Sequence, residues 1–135
     1  GAAAQRVPAV VRGRSVYFEV ATAPYAAGAS SFVGETLARL GLVNIVPPAL
    51  GPFPKLNPEF VVRARPQIVI AAAAPLAEMR RRPGWGDLPA LVAARSCDFE
   101  PETYELLIRP GPRLGEAAEH IADCLIRLEG AWPPR

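Results

Sequence analysis

The residues able to do chemistry in this chain are isolated carboxylates, scattered arginines, two cysteines and a few loop aromatics. Their spacing favours binding over catalysis. Glu19, Glu35 and Asp98 could each serve as a general acid or base, yet nothing pairs them with a nucleophile, so they read as surface or capping carboxylates. Ser30 lies in AAGASS, whose glycines match no phosphate-cradling loop, and no nucleophile-elbow, Walker, dinucleotide or metalloprotease pattern occurs. No catalytic residue is assigned. Cys97 and Cys124, with the single His120, are too few and too far apart for a zinc pattern, so no metal site is assigned either. The two cysteines read as buried thiols in preference to a disulfide.

What does recur is a set of aromatic and polar groups in the segments that follow expected strands, where open α/β sheets take their ligands. Tyr25 follows the first expected strand, Phe53 precedes a helix, and the PETYELLIRP segment carries Glu105 and Arg109. Taken alone, Tyr25 and Phe53 read as loop or core packing. Arg109 suits a pairing with Glu105 as well as a contact with a ligand.

The elements that must position these groups alternate. VYFEV, Val16 to Val20, has the β-branched and aromatic content of a strand. Ser30 or Ser31 then caps a helix with Val33, Leu37 and Leu40 at helical spacing, and Gly41 stops it. Val43 to Val46 is a short extended piece. Asn57 is an N-cap, Pro58 suits the first helical position, and Glu59 places a negative charge in the first turn, where the helix dipole favours it. Arg65 precedes Pro66, which ends that helix. Gln67 to Ala71 is an apolar run of the kind a parallel strand shows when both its faces are covered.

Beyond it, Ala73 to Arg82 is expected as a helix broken at Pro83, and Trp85 to Arg95 as another with Leu88, Leu91 and Val92 inward. Ser96 to Glu100 is a further strand, and PETYELLIRPGPRL a loop. In the last helix Leu114, Ala118, Ile121, Leu125 and Leu128 form one apolar stripe. Strand, helix, strand, helix, strand calls for a mostly parallel sheet flanked by helices, joined by right-handed crossovers.

Composition bounds the rest. With 135 residues, half of them hydrophobic, the chain is one domain with enough apolar side chains for a core. Fifteen basic residues nearly balance 13 acidic ones, and the only basic run, Arg80, Arg81 and Arg82, reads as a solvated helix end; no nucleic-acid partner is expected. No apolar run approaches the roughly 20 residues that span a bilayer, and GAAAQRVPAV lacks a signal-peptide core, so an export signal would lie outside these residues.

VYFEV, GASSFVGETLARLG followed by NIV, PFPKLNPEFVVRARPQIVI, PGWGDLPALVAAR and LLIRPGPRL run in one order over about Arg14 to Leu128. In that order the chain resembles the C-terminal lobe of the periplasmic substrate-binding proteins of the cobalamin, haem and ferric-siderophore ABC importers, most of all the vitamin B12-binding branch. The resemblance implies one α/β lobe of a two-lobed, helical-backbone (class III) binding protein, with the ligand between lobes. It places residues 1–14 at the end of the interlobe helix or in a frayed linker, 15–130 in the C-terminal lobe and 131–135 in a tail, with the N-terminal lobe missing.

Position by position, the resemblance makes Tyr25 a cleft aromatic and Phe53 the aromatic that packs on the ligand, two flat apolar surfaces for a macrocycle. Glu105 and Arg109 match polar positions on the cleft rim, with Glu105 in place of a shorter acid. Glu59 matches the exposed glutamate offered to arginines of the membrane permease. The implied function is non-enzymatic: periplasmic capture of cobalamin, with no resident cofactor, and delivery to an ABC permease.

A haem or ferric-siderophore receptor is the alternative within the family, with Tyr25 the candidate axial ligand for haem. A small α/β enzyme and a protein-interaction domain are the alternatives of other classes. The lobe alone is expected to bind its ligand weakly, and its exposed cleft face could drive self-association.

Overall fold

The computed structural model describes residues 2–20, 25–111 and 113–133. Its centre is a four-stranded parallel sheet of β1 (Ser15–Phe18), β2 (Val43–Asn44), β3 (Ile68–Ala72) and β4 (Ser96–Phe99), in the order β2-β1-β3-β4. Helix α1 (Ala2–Arg6) precedes β1. α2 (Phe32–Arg39) joins β1 to β2, α3 (Pro58–Ala64) joins β2 to β3, and α4 (Ala73–Glu78) with α5 (Pro89–Val92) joins β3 to β4. α6 (Pro101–Ile108) and α7 (Leu114–Arg127) follow.

Because successive strand side chains point to opposite faces, the unbroken apolar runs feed two cores at once. Val16, Phe18, Ile68, Ile70, Cys97 and Phe99 pack under α1, α2, α6 and α7. Tyr17, Val69 and Ala71 pack on the other face against Val61 of α3, Met79, Trp85 and Leu88. The α2 connection moves one way along the sheet and the α3 connection moves back, on opposite faces, as right-handed crossovers require. The direction of winding changes between β1 and β3, so the crevice of this sheet lies outside their carboxyl ends.

Local signals decide the helix ends. Ser31, not Ser30, caps α2: its Oγ accepts from the Gly34 amide at 2.9 Å. Gly41, at φ 90°, follows the helix and ends it. Asn57 Oδ1 accepts from the Glu59 amide at 2.9 Å, Pro58 opens α3, and Arg65 closes it in the left-handed region at φ 49°. Residues 2–14 hold the short helix α1, whose Ala3 packs toward α7, and whose Arg6 pairs with Glu119 and Asp123. Val7 and Val11 extend the same core.

Several expectations give way. Helix α4 ends at Glu78 and passes into a 3-10 turn, Met79–Arg81, while Trp85–Asp87 is a second such turn ahead of a four-residue α5. Pro83 and Pro89 divide this stretch into short pieces, and Val92 on the last of them is 68% exposed instead of inward. Residues Pro101 to Ile108 are helical instead of a loop, because Pro101 sits where a helix starts and Glu102 suits its first turn. Cys97 and Cys124 form a disulfide instead of standing as thiols. The inward side of β4 meets the inward side of α7, which brings two residues 27 positions apart together in the core.

Candidate functional site

Tyr25 and Phe53 are held on two segments that run antiparallel at the carboxyl end of the sheet. The Ala26 amide donates to the Pro54 carbonyl at 3.1 Å and the Gly28 amide to the Pro52 carbonyl at 2.8 Å, with Tyr25 bridged to Lys55. This register puts Tyr25 and Phe53 two positions apart across the ladder, the diagonal relation in which aromatic side chains reach one another. Tyr25 is 42% and Phe53 39% exposed, so both offer ring surface to solvent.

Phe53 is steadied by Phe32, the first residue of α2, at 5.8 Å between ring centroids in an edge-to-face arrangement. Asn44 anchors the segment from below: its Nδ2 donates to the Ala27 carbonyl at 2.9 Å and its Oδ1 accepts from the Val46 amide at 2.9 Å. Phe32 and Asn44 are supports that sequence reasoning did not single out. Phe32 falls off the Val33, Leu37, Leu40 stripe, and an apolar residue outside the buried stripe was its available signal.

Glu105 and Arg109 lie on α6 and meet as an i, i+4 ion pair, Arg109 Nε to Glu105 Oε2 at 3.2 Å, with both side chains exposed. Such a pair contributes about 0.3–0.5 kcal/mol and leaves both groups free to exchange partners. Together with Glu102, Leu106, Gly111 and Arg113 they line a concavity of about 360 Å³. Tyr25 and Phe53 are not among its lining residues, so the structure groups the four residues as two pairs. Glu59 stands apart on the first turn of α3, exposed, 3.8 Å from Arg63 of the same helix.

Between the strand ends lies a group that overturns two expectations. Glu19 is not a surface carboxylate: it is 1% exposed, accepts from the Tyr17 hydroxyl at 2.8 Å, and takes both guanidinium nitrogens of Arg82, at 2.8 and 3.1 Å. Arg82 in turn is not a solvated helix end; its Nε donates to Glu78 at 2.7 Å and its guanidinium lies over the Trp85 ring at 4.6 Å. Arg80 stays exposed, with its guanidinium donating to the Leu91 carbonyl at 2.7 Å.

Burial alone would disfavour the Arg82 charge, but its hydrogen bonds to Glu19 and Glu78 outweigh that and push its pKa up. Tyr17 is pushed up by burial first and then by the Glu19 charge. Tyr104 of α6, which donates to the Glu19 carbonyl, is raised by burial and by the charges of Glu19 and Glu105. These groups keep their protons or charges as fixed members of a network. Chemically the arrangement offers flat rings, a charged rim and a rigid base, and among the described residues no nucleophile is set against a general base.

No protein-family model matches the chain, and no curated protein matches it. Solved structures do. A possible iron-binding periplasmic solute-binding protein from Staphylococcus epidermidis superimposes with a TM-score of 0.76 at 22% identity, over 92% of this chain and 49% of that one. The periplasmic vitamin B12 binding protein of Vibrio cholerae gives 0.73 at 21% identity, over 91% and 47%. A periplasmic heme-binding protein from Roseiflexus gives 0.70 at 22% identity, over 97% and 52%. The chain has the fold of one lobe of a two-lobed periplasmic binding protein. It spans about half the length of the structures it matches. In this lobe the carboxyl edge of the sheet presents Tyr25 and Phe53 on one segment pair and Glu105 and Arg109 on α6, beside the largely buried Glu19–Arg82 pair.

Proposed function

We propose that this lobe is one half of a periplasmic solute-binding protein that captures a flat metal chelate, cobalamin first, and delivers it to an ABC permease. The observation that carries this reading is the pair of exposed rings, Tyr25 and Phe53, carried on two hydrogen-bonded antiparallel segments at the carboxyl end of a parallel sheet. Two rigid aromatic faces suit a macrocycle, which gains from stacking and loses little entropy against preordered side chains. The Glu105 and Arg109 pair supplies an acceptor and a donor for amide or carboxylate groups on the rim of such a ligand.

The ligand sits between this lobe and a second one, so this lobe by itself holds half of the contacts. Its exposed rings can then meet those of another copy, and weak self-association is the expected behaviour of the lobe alone. Glu59 docks to the permease. Its carboxylate is held by a capped first turn, exposed, and engaged only loosely by Arg63. The buried disulfide suits an oxidising compartment such as the periplasm. The reading excludes turnover and needs no resident cofactor. The solute-binding neighbours, among them proteins described as iron-, vitamin B12- and heme-binding, support the class of function.

Haem or a ferric siderophore is the second reading, favoured by the exposed phenol of Tyr25, which could ligate haem iron. Absorbance titration of a two-lobed protein carrying this lobe, with haemin and with cyanocobalamin, separates the two. A Soret shift abolished by Tyr25→Phe supports haem, and binding of cyanocobalamin weakened by Phe53→Ala supports the corrinoid.

A further inference from the structure

In a doubly wound sheet the crevice at the switch of winding is where a ligand is ordinarily held. Here the carboxyl ends of β1 and β3 are instead occupied by a buried ion pair. Glu19 extends β1 by one residue, its amide donating to the Ile70 carbonyl at 2.9 Å, and Arg82 reaches it from the turn that follows α4. A buried ion pair is a poor source of net stability, since two apolar side chains of similar volume often do as well. Its value must then be sought in what it fixes.

Glu19 touches two of the three segments that carry the candidate ligand-facing residues, those of Tyr25 and of α6. It is bridged to Ala26, beside Tyr25, and the next residue, Val20, donates to the Tyr25 carbonyl at 3.1 Å. Its own carbonyl accepts from the Tyr104 hydroxyl, beside Glu105 on α6, and the Tyr104 ring stacks on Phe18 at 6.1 Å. Its carboxylate is clamped by Arg82 and Tyr17, which leaves the residue one orientation.

We propose that Glu19 is the positioning residue of the ligand-facing edge: clamped by Arg82, it sets the Tyr25 segment and α6 in one fixed relation. The proposal rests on the binding role given above for Tyr25, Glu105 and Arg109, yet the relation it describes can be read without any ligand. Glu19→Gln keeps an acceptor for Tyr17 and removes the charge that holds Arg82. Tyr104→Phe removes only the hydroxyl that reaches the Glu19 carbonyl.

Amide hydrogen exchange along the whole chain is compared in the parent and the two variants. For Glu19→Gln, exchange accelerates about tenfold in both 25–28 and 101–109, while β3 and α7 stay within about twofold of the parent. For Tyr104→Phe, acceleration is confined to 101–109. Acceleration spread evenly over the chain, acceleration in only one segment of Glu19→Gln, or no change in either overturns the proposal. Should Glu19→Gln not fold, Tyr104→Phe decides, and an unchanged 101–109 segment overturns it. Cyanocobalamin and haemin are titrated into the parent separately. A two-lobed protein carrying this lobe, titrated in the same way, reads the binding role: binding of neither ligand there removes that role, and the exchange pattern still decides whether Glu19 positions the edge.

Discussion

Gly34, in the first turn of α2, has no room for a side chain: a Cβ there would lie 2.1 Å from the carbonyl oxygen of Gly28 and 2.9 Å from the Cα of Ala29. The start of α2 is thus pressed onto the segment that leads from Tyr25, and the Ser31 hydroxyl binds both sides of the contact by donating to Gly28 at 2.7 Å and accepting from Gly34. Gly28 is equally confined, with the Gly51 carbonyl oxygen 2.3 Å from where its Cβ would be. The close approach is what sets the two aromatic segments side by side.

Gly34→Ala must therefore move backbone and is expected to destabilise the lobe by about 2–3 kcal/mol, the upper part of the range for overpacking. Gly115→Ala, in open space on α7, serves as the control and leaves stability nearly unchanged or slightly raised. Thermal melts of the two variants check this, and equal melting temperatures would contradict the packing described.

The disulfide joins β4 to α7 across the core that α6 also covers. Closing a 27-residue separation, it is expected to contribute about 3–4 kcal/mol. Denaturant unfolding with and without reductant measures this. A reduced protein as stable as the oxidised one would show that the link adds nothing to the fold.

Tyr17 and Tyr104 have folded-state pKa values above the ordinary 10.0, from burial and the Glu19 charge. A group raised on folding adds stability that is present in full below its unfolded value and lost as pH climbs toward the folded one. The lobe should therefore weaken as pH rises past about 10, with the two phenols ionising as it unfolds. Tyrosinate absorbance followed beside circular dichroism checks this. Ionisation of Tyr17 and Tyr104 while the fold persists would contradict it.

Glu59 is exposed, and its ion pair with Arg63 is loose. Glu59→Arg should change stability by less than about 0.5 kcal/mol and leave ligand affinity unchanged, while reversing the charge offered to a permease. Transport or permease pull-down by a two-lobed protein carrying the variant reads the effect. Unaltered permease binding would remove Glu59 from the docking role.

Much of the fold was legible because it is written in local signals. Asn57 with Pro58, and Gly41, each settle a helix end within a few residues, the start of α2 is narrowed to Ser30 or Ser31, and the apolar IVIA run reads as a strand covered on both faces. Helix α6 is hidden in the sequence because a proline marks a loop as readily as a first helical position, and Pro101 opens it.

The rest depends on contacts that sequence distance hides. Glu19 and Arg82 are separated by 63 positions, so a lone glutamate at the end of a strand gave no sign that it is buried and paired. Cys97 and Cys124 are separated by 27, with nothing between them to show that β4 and α7 meet. Of the candidate binding residues, Tyr25 and Phe53 could be placed in segments beside the sheet, but the pairing of those segments comes from the Ala26 to Pro54 and Gly28 to Pro52 bonds, which no local pattern encodes.

The central claim is that Tyr25 and Phe53 are the ligand-facing rings of a solute-binding lobe, and calorimetric titration of cyanocobalamin into a two-lobed protein carrying this lobe tests it most directly. Micromolar or tighter binding, weakened about tenfold or more by Phe53→Ala at unchanged melting temperature, is the predicted result. Binding equal in the parent and Phe53→Ala, or no heat from cyanocobalamin, haemin or a ferric siderophore, would contradict it.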